Sequence, residues 1–105
     1  MKQYKVVLTP EAEDDLWRYL KYLQQDKMNP QAAANVLDDF EKTKMSLSDV
    51  AGSLREPDSE KLKKRGLKRI NFIDHNYFML YCIVNGDVYI TNIFHGLENY
   101  ENKLR

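Results

Sequence analysis

The residues best equipped for chemistry fall in two short stretches. Lys61-Leu62-Lys63-Lys64-Arg65-Gly66-Leu67-Lys68-Arg69 carries six positive charges in nine residues and no acid. Such a run can neutralise several phosphates, because contact with a nucleic-acid backbone needs only well-placed Lys and Arg. The same run also fits a solvated basic loop. The second stretch is His95-Gly96-Leu97-Glu98-Asn99-Tyr100. An imidazole titrates near neutral pH, which suits His95 to general acid–base work, although a ring at a strand end also serves simply by packing. The Tyr100 phenol can orient or protonate a phosphate, or dock a terminal helix. His75 reads as a solvated turn residue and Cys82 as a small buried hydrophobe. One cysteine excludes an internal disulfide, and two histidines with one cysteine cannot build a four-ligand zinc site. No metal and no cofactor are expected.

These groups have to be positioned by one domain, spanning 1–105, because 105 residues is an ordinary single-domain length. Hydrophobic residues at 43% supply a core and charged residues at 30% coat it, which argues against a disordered chain. No stretch approaches the roughly 20 apolar residues of a membrane span. The apolar run near the start is too short for a signal peptide, so a cytoplasmic protein is expected.

Residues 4–8 read as a short strand. Thr9-Pro10-Glu11 then starts a helix, with a hydroxyl cap, proline at the first helical position and acids in the first turn. Ala12, Leu16, Tyr19, Leu20 and Leu23 share one stripe, and Trp17 and Tyr22 flank it. Asn29-Pro30 repeats the start signal for a second helix over 31–49, with Ala33, Val36, Leu37, Phe40 and Leu47 inside. Residues 51–66 lack periodicity and read as a loop. From Gly66 the period changes to two, with strands over 67–73, 77–84 and 88–94 and the favoured Asn85-Gly86 hairpin turn between the last two. The tail, 97–105, reads as a short helix or arm. The expected fold is α+β in the order β-α-α-β-β-β, a helical hairpin packed on one face of a mostly antiparallel four-stranded sheet.

A two-residue turn pairs Val84 with Asp87 and Cys82 with Tyr89. Alternation then puts Tyr77, Met79, Tyr81, Ile83, Val88, Ile90 and Phe94 on the helix-covered face. Phe78, Leu80, Cys82, Tyr89, Thr91, Ile93 and His95 fall on the outer face. Ile70 and Phe72 point inward, which sends Arg69 and Asn71 outward. An outer face this apolar needs a cover, either the C-terminal tail or another chain.

Sixteen basic and sixteen acidic residues sum to zero net charge, which by itself discourages a nucleic-acid partner. Position changes that inference. The acids concentrate in Glu11-Ala12-Glu13-Asp14-Asp15 and Asp38-Asp39-Phe40-Glu41, on the helices, while the bases gather on the loop and the strand after it. The chain is dipolar.

The ordered succession of short motifs resembles the RelE/ParE superfamily of bacterial toxins. It includes Tyr4-Lys5-Val6-Val7-Leu8-Thr9-Pro10-Glu11-Ala12 at the start and Asn29-Pro30-Gln31-Ala32-Ala33 at the second helix. Gly66-Leu67-Lys68-Arg69-Ile70, Asn76-Tyr77-Phe78-Met79-Leu80-Tyr81, Asn85-Gly86-Asp87-Val88 and Ile93-Phe94-His95-Gly96 follow in the sheet. The resemblance implies the toxin half of a type II toxin–antitoxin pair, wrapped by a cognate antitoxin. Trp17 and Tyr22 on the helix, and Phe78 and Leu80 on the outer sheet face, are its expected docking residues.

The superfamily holds two activities. RelE-like members cut mRNA on the ribosome without a metal, and ParE-like members poison DNA gyrase and lack the nuclease residues. Cleavage through the 2′-hydroxyl needs a base, an acid and cations for the phosphorane charge. The resemblance assigns these roles to Arg69, His95 and Tyr100, with Lys61, Lys63, Lys64, Arg65 and Lys68 holding RNA phosphates. The leading expectation is a ribosome-dependent mRNA endoribonuclease. The alternatives are a gyrase inhibitor without nuclease activity, or a degenerate member that only binds its antitoxin. Leu97 and Glu98 stand where many relatives carry arginines, which removes a cation from the expected site.

Overall fold

The structure is a computed structural model that describes residues 3–104. Met1 and Lys2, part of the start weighed above against a signal peptide, and Arg105, the last residue of the expected tail, lie outside the described residues. The elements follow as β1 (Lys5–Leu8), α1 (Pro10–Lys21), a π-helical turn (Tyr22–Asp26), α2 (Pro30–Val50), α3 (Glu60–Lys64), β2 (Lys68–Asn71), β3 (Tyr77–Val84), β4 (Asp87–His95) and α4 (Tyr100–Lys103). The strands form one sheet in the order β1-β4-β3-β2. β1 runs parallel to β4, and the other two pairs are antiparallel. This is the expected α+β fold. An unexpected element is α3, which occupies part of the segment read as loop; Ser59 caps it by accepting from the Leu62 N–H at 3.3 Å.

Both long helices start where their caps dictate. The Thr9 side chain accepts from the Ala12 N–H, and its hydroxyl also donates to the Ile90 carbonyl at 2.7 Å, docking α1 onto β4. Asn29 accepts from the Ala32 N–H at 3.0 Å ahead of Pro30. Asn85 and Gly86 both take positive φ, 52° and 85°, as the tight hairpin demands.

The hairpin register holds, with Val84 opposite Asp87 and Cys82 opposite Tyr89. Farther along, a bulge intervenes: Tyr81 pairs with Ile90 but Leu80 pairs with Asn92, leaving Thr91 as the extra residue. One extra residue reverses the alternation beyond it, so three expected assignments change face. Ile93 pairs with Met79 and joins the helix-side core, and Phe94 pairs with Phe78 on the outer face. His95 pairs with Tyr77 and therefore belongs to the helix side, not the outer side.

The helix-side core joins Ala12, Leu16 and Leu20 of α1, Ala33, Val36, Phe40 and Leu47 of α2, and Phe72, Met79, Tyr81, Val88, Ile90 and Ile93. Large side chains fully buried there contribute about 1.5–3 kcal/mol each by leaving water. The outer face is covered by the chain itself. Leu62 of α3, Leu67 and Leu104 pack with Phe78, Leu80 and Phe94. The tail and α3 are thus the cover that the apolar outer face required.

Candidate functional site

Arg69 and Tyr100 meet on the outer face. The Arg69 guanidinium carbon lies 3.8 Å from the Phe78 ring centroid and 6.0 Å from that of Tyr100. Its Nε donates to Asn71 Oδ1 at 2.9 Å, which fixes the plane of the group. Tyr100 in turn packs edge-on against Phe78, with centroids 5.2 Å apart, and tilts over Phe94. Strand β2 presents Arg69, and α4 swings Tyr100 over it. A cleft of about 330 Å³ opens beside them, lined by Arg55, Glu56, Asp58, Ser59, Asn71 and the two residues themselves. An arginine set over an aromatic ring at the lining of a cleft suits a phosphate or carboxylate, here with Glu56 and Asp58 competing from the same lining.

His95 stands apart from this pair. Its ring packs edge-on against Tyr77 at 5.0 Å on the helix side, and its Nδ1 accepts from the Leu97 N–H at 3.2 Å. The three residues expected to share one catalytic centre are therefore divided between the two faces of the sheet. The cause is the Thr91 bulge, which the alternating pattern of residue types does not reveal.

The expected phosphate-binding cations are divided as well. Lys68 Nζ donates to the Leu54 carbonyl at 2.9 Å, tying the loop before α3 to the sheet. Lys61 Nζ donates to the Glu101 carbonyl and fastens α3 to α4. Lys63 forms an exposed pair with Glu60 at 3.5 Å, and Lys64 is exposed. Arg65 lines a different cleft, about 610 Å³, between the acidic start of α1 and the tail. Two of these cations, Lys61 and Lys68, therefore act as ties within the fold, while Lys63, Lys64 and Arg65 stay exposed.

Of the expected docking residues, Trp17 is 58% exposed and Tyr22 46% exposed, so both are accessible. Phe78 and Leu80 are not. They are 1% and 0% exposed under α3 and the tail, so neither meets a partner while that cover is in place.

Residues that the sequence reading left on the helix surface do structural work. Asp39 is buried at 2% exposure. It accepts from the backbone N–H groups of Ile73, Asp74 and His75, at 3.0, 2.9 and 2.7 Å, and pairs with His75 Nδ1 at 2.7 Å. Burial pushes its carboxyl up, but the His75 ring and the three backbone donors outweigh that and hold it below the usual range. The signal was in the heptad: Val36, Asp39, Phe40, Thr43 and Leu47 share one helical face. Asp15 of α1 likewise accepts from the Ile93 N–H at 2.9 Å beside the bulge, and burial raises its carboxyl.

Glu98 occupies the position where a cation was expected. It accepts from the Tyr19 hydroxyl and, at 3.3 Å, from the His95 N–H, and pairs with Lys103 at 2.5 Å. Burial raises its carboxyl, but these partners outweigh it and hold the group below its usual value. The same contact, added to burial, pushes the Tyr19 phenol well up. Glu98 is thus a strut joining α1, the end of β4 and α4. Among the described residues, no three His, Cys, Asp or Glu side chains gather as a metal ion would require, and no helix is long and apolar enough to cross a membrane.

The fold is a small α+β domain with the element order that the motifs suggested. Residues 6–100 match the family described as ParE toxin of type II toxin–antitoxin system, parDE. The chain belongs to this ParE toxin family. Among solved structures it is similar to a chain of the chromosomal ParDE toxin–antitoxin system from P. aeruginosa, with a TM-score of 0.72 at 17% identity. The match covers 90% of this chain and 98% of that one, and it supports the fold alone. No curated protein matches the chain by sequence.

Proposed function

We propose that the protein is a cytoplasmic ParE-type toxin that is neutralised by a ParD-type antitoxin and acts on DNA gyrase without cutting RNA. The observation that carries this reading is the separation of His95 from Arg69 and Tyr100 across the sheet. A His95 ring on the far face is poorly placed to exchange a proton with a phosphate held by Arg69, since proton transfer works at hydrogen-bond distance.

Inducing the full chain in cells, with primer extension on translated mRNA beside a gyrase supercoiling assay, tests the proposal. The expected result is inhibited supercoiling with intact mRNA. Codon-level cuts with normal supercoiling would instead establish the mRNA endoribonuclease reading, with the ribosome and mRNA as partners. One observation favours that second reading, the placement of Arg69 near Tyr100 beside an open cleft. On it, Arg69→Ala or Tyr100→Phe relieves growth arrest. Absence of any growth arrest would leave a degenerate, antitoxin-binding member.

A further inference from the structure

We propose that His95 is a pH-sensitive latch on the C-terminal cover: its neutral ring holds the tail in place, and its protonated ring lets the tail loosen. The cover concerned is α4 with the turn that leads into it, and the inference does not depend on what the toxin acts on.

This turn is firmly anchored at its root and lightly held beyond it. Gly96 donates its N–H to the Asn76 carbonyl at 2.8 Å, and a Cβ on Gly96 would run into the Asn76 amide. One residue on, apolar packing gives out, since Leu97 is 84% exposed. Its N–H is held instead by His95 Nδ1 at 3.2 Å, with the imidazole lone pair standing in for a backbone carbonyl. The bonds that seat the tail follow directly. Glu98 donates its N–H to the His95 carbonyl at 3.0 Å, Tyr100 to the Glu98 carbonyl at 2.9 Å and Leu104 to the Tyr100 carbonyl at 3.1 Å. Tyr100 and Leu104 then pack on Phe78 and Phe94.

A ring nitrogen accepts only while it carries no proton. Once Nδ1 is protonated, it and the Leu97 N–H become two donors facing each other, and the bond is lost. The ring is not free to leave, because it packs edge-on against Tyr77. A charged ring also draws on the Glu98 carboxylate, which already accepts from the His95 N–H, in competition with Lys103. Either response removes a tie at the base of α4. Imidazole is the side chain that makes this change of charge between about pH 5 and 8.

The neighbouring charges belong to pairs. Asp15 and Arg18 of α1 hold each other, as do Glu98 and Lys103 of the tail. The Tyr19 hydroxyl reaches the His95 N–H, and the Tyr77 phenol lies near that of Tyr22 on the π-helical turn. Phenols carry no charge where an imidazole titrates. From the turn between β2 and β3, Asn76 is neutral and His75 is bound to Asp39. The ring of His95 is thus the group at this root that changes charge in that range. Loosening the tail uncovers Phe78, Leu80 and Phe94 and parts Tyr100 from Arg69, so the outer face opens more readily in mild acid.

The test follows amide exchange in the full chain by NMR from about pH 5 to 8, corrected for the intrinsic pH dependence of exchange, beside the titration of both histidine rings. Protection at Leu97 and Leu104 is expected to fall about tenfold as pH drops, with the midpoint of the His95 ring, while protection within β3 stays level. His95→Gln keeps an acceptor at every pH, so it is expected to retain the protection and lose the pH dependence. His95→Phe keeps a ring on Tyr77 but accepts nothing, so it is expected to show the loosened tail throughout. Should either variant fail to fold, the unaltered chain still decides. Tail protection that stays constant through the His95 titration overturns the proposal, and so does a change that follows His75 instead.

Discussion

On the helix side of the sheet, two long helices and all four strands interlock around Phe40, Phe72, Met79 and Tyr81, and buried polar groups are matched there by Asp39 and Thr43. On the outer side, a five-residue helix and a four-residue helix lie over Phe78, Leu80 and Phe94, held by Leu62, Leu67, Leu104 and a few polar ties. Both faces bury an apolar cluster, but the clusters are closed by elements of very different length. Helices this short have little cooperativity of their own and stay in place through side-chain contacts. The helix side is accordingly the stable frame, and the outer cover is the part expected to open locally. Arg69 and Tyr100 meet at the junction of the two, one on the frame and the other on the cover.

The contrast can be broken by substitutions. Phe40→Ala, in the centre of the helix side, should lower unfolding free energy by about 3–5 kcal/mol in denaturant titrations. Asp39→Ala should follow at about 3 kcal/mol or more, because it strands three backbone donors and the His75 ring at the end of β2. Asp39 also carries a pH signature. Its carboxyl is depressed in the folded state, so its contribution is present above the ordinary carboxylate value and is lost as pH falls through the folded one. Asp39→Asn should therefore flatten the acid limb of the stability–pH curve below about pH 4, and an unchanged limb would show that the clamp is not ionic.

Tyr100→Ala, on the outer cover, should cost only about 1–2 kcal/mol, from lost ring packing on Phe78 and Phe94. A loss equal to that of Phe40→Ala would mean that the two faces are equally integral. Glu98→Ala should reduce global stability by about 1 kcal/mol, yet speed amide exchange at Leu104, whose N–H donates to the Tyr100 carbonyl at 3.1 Å. Trp17→Ala should move stability by no more than about 0.5 kcal/mol while weakening antitoxin binding, since the indole is largely exposed.

Local chemistry was readable from the chain wherever it acts over a few residues. Thr9-Pro10 and Asn29-Pro30 announced their helices because a cap needs only a side-chain oxygen and a preset φ. Asn85-Gly86 announced the hairpin because the turn needs two positive φ values. The register near that turn followed directly. The apolar outer face correctly demanded a cover, and Arg69 was correctly sent outward. Asp39 was legible in principle from its place in the Val36–Leu47 stripe, but an acid beside other acids reads as surface unless its partners are known.

Sequence by itself determined the element order, the two helix starts, the hairpin and the dipolar arrangement of charge, all of which depend on neighbours in the chain. Tertiary structure decided which face His95 occupies, because the bulge at Thr91 satisfies a packing and hydrogen-bonding requirement set by strands and helices distant in sequence. It also decided that two lysines of the basic run serve as struts, since Lys61 and Lys68 find carbonyls about forty and fourteen residues away. Contacts of that reach leave no periodic trace in the chain. They exist only once hydrophobic burial has brought the segments together.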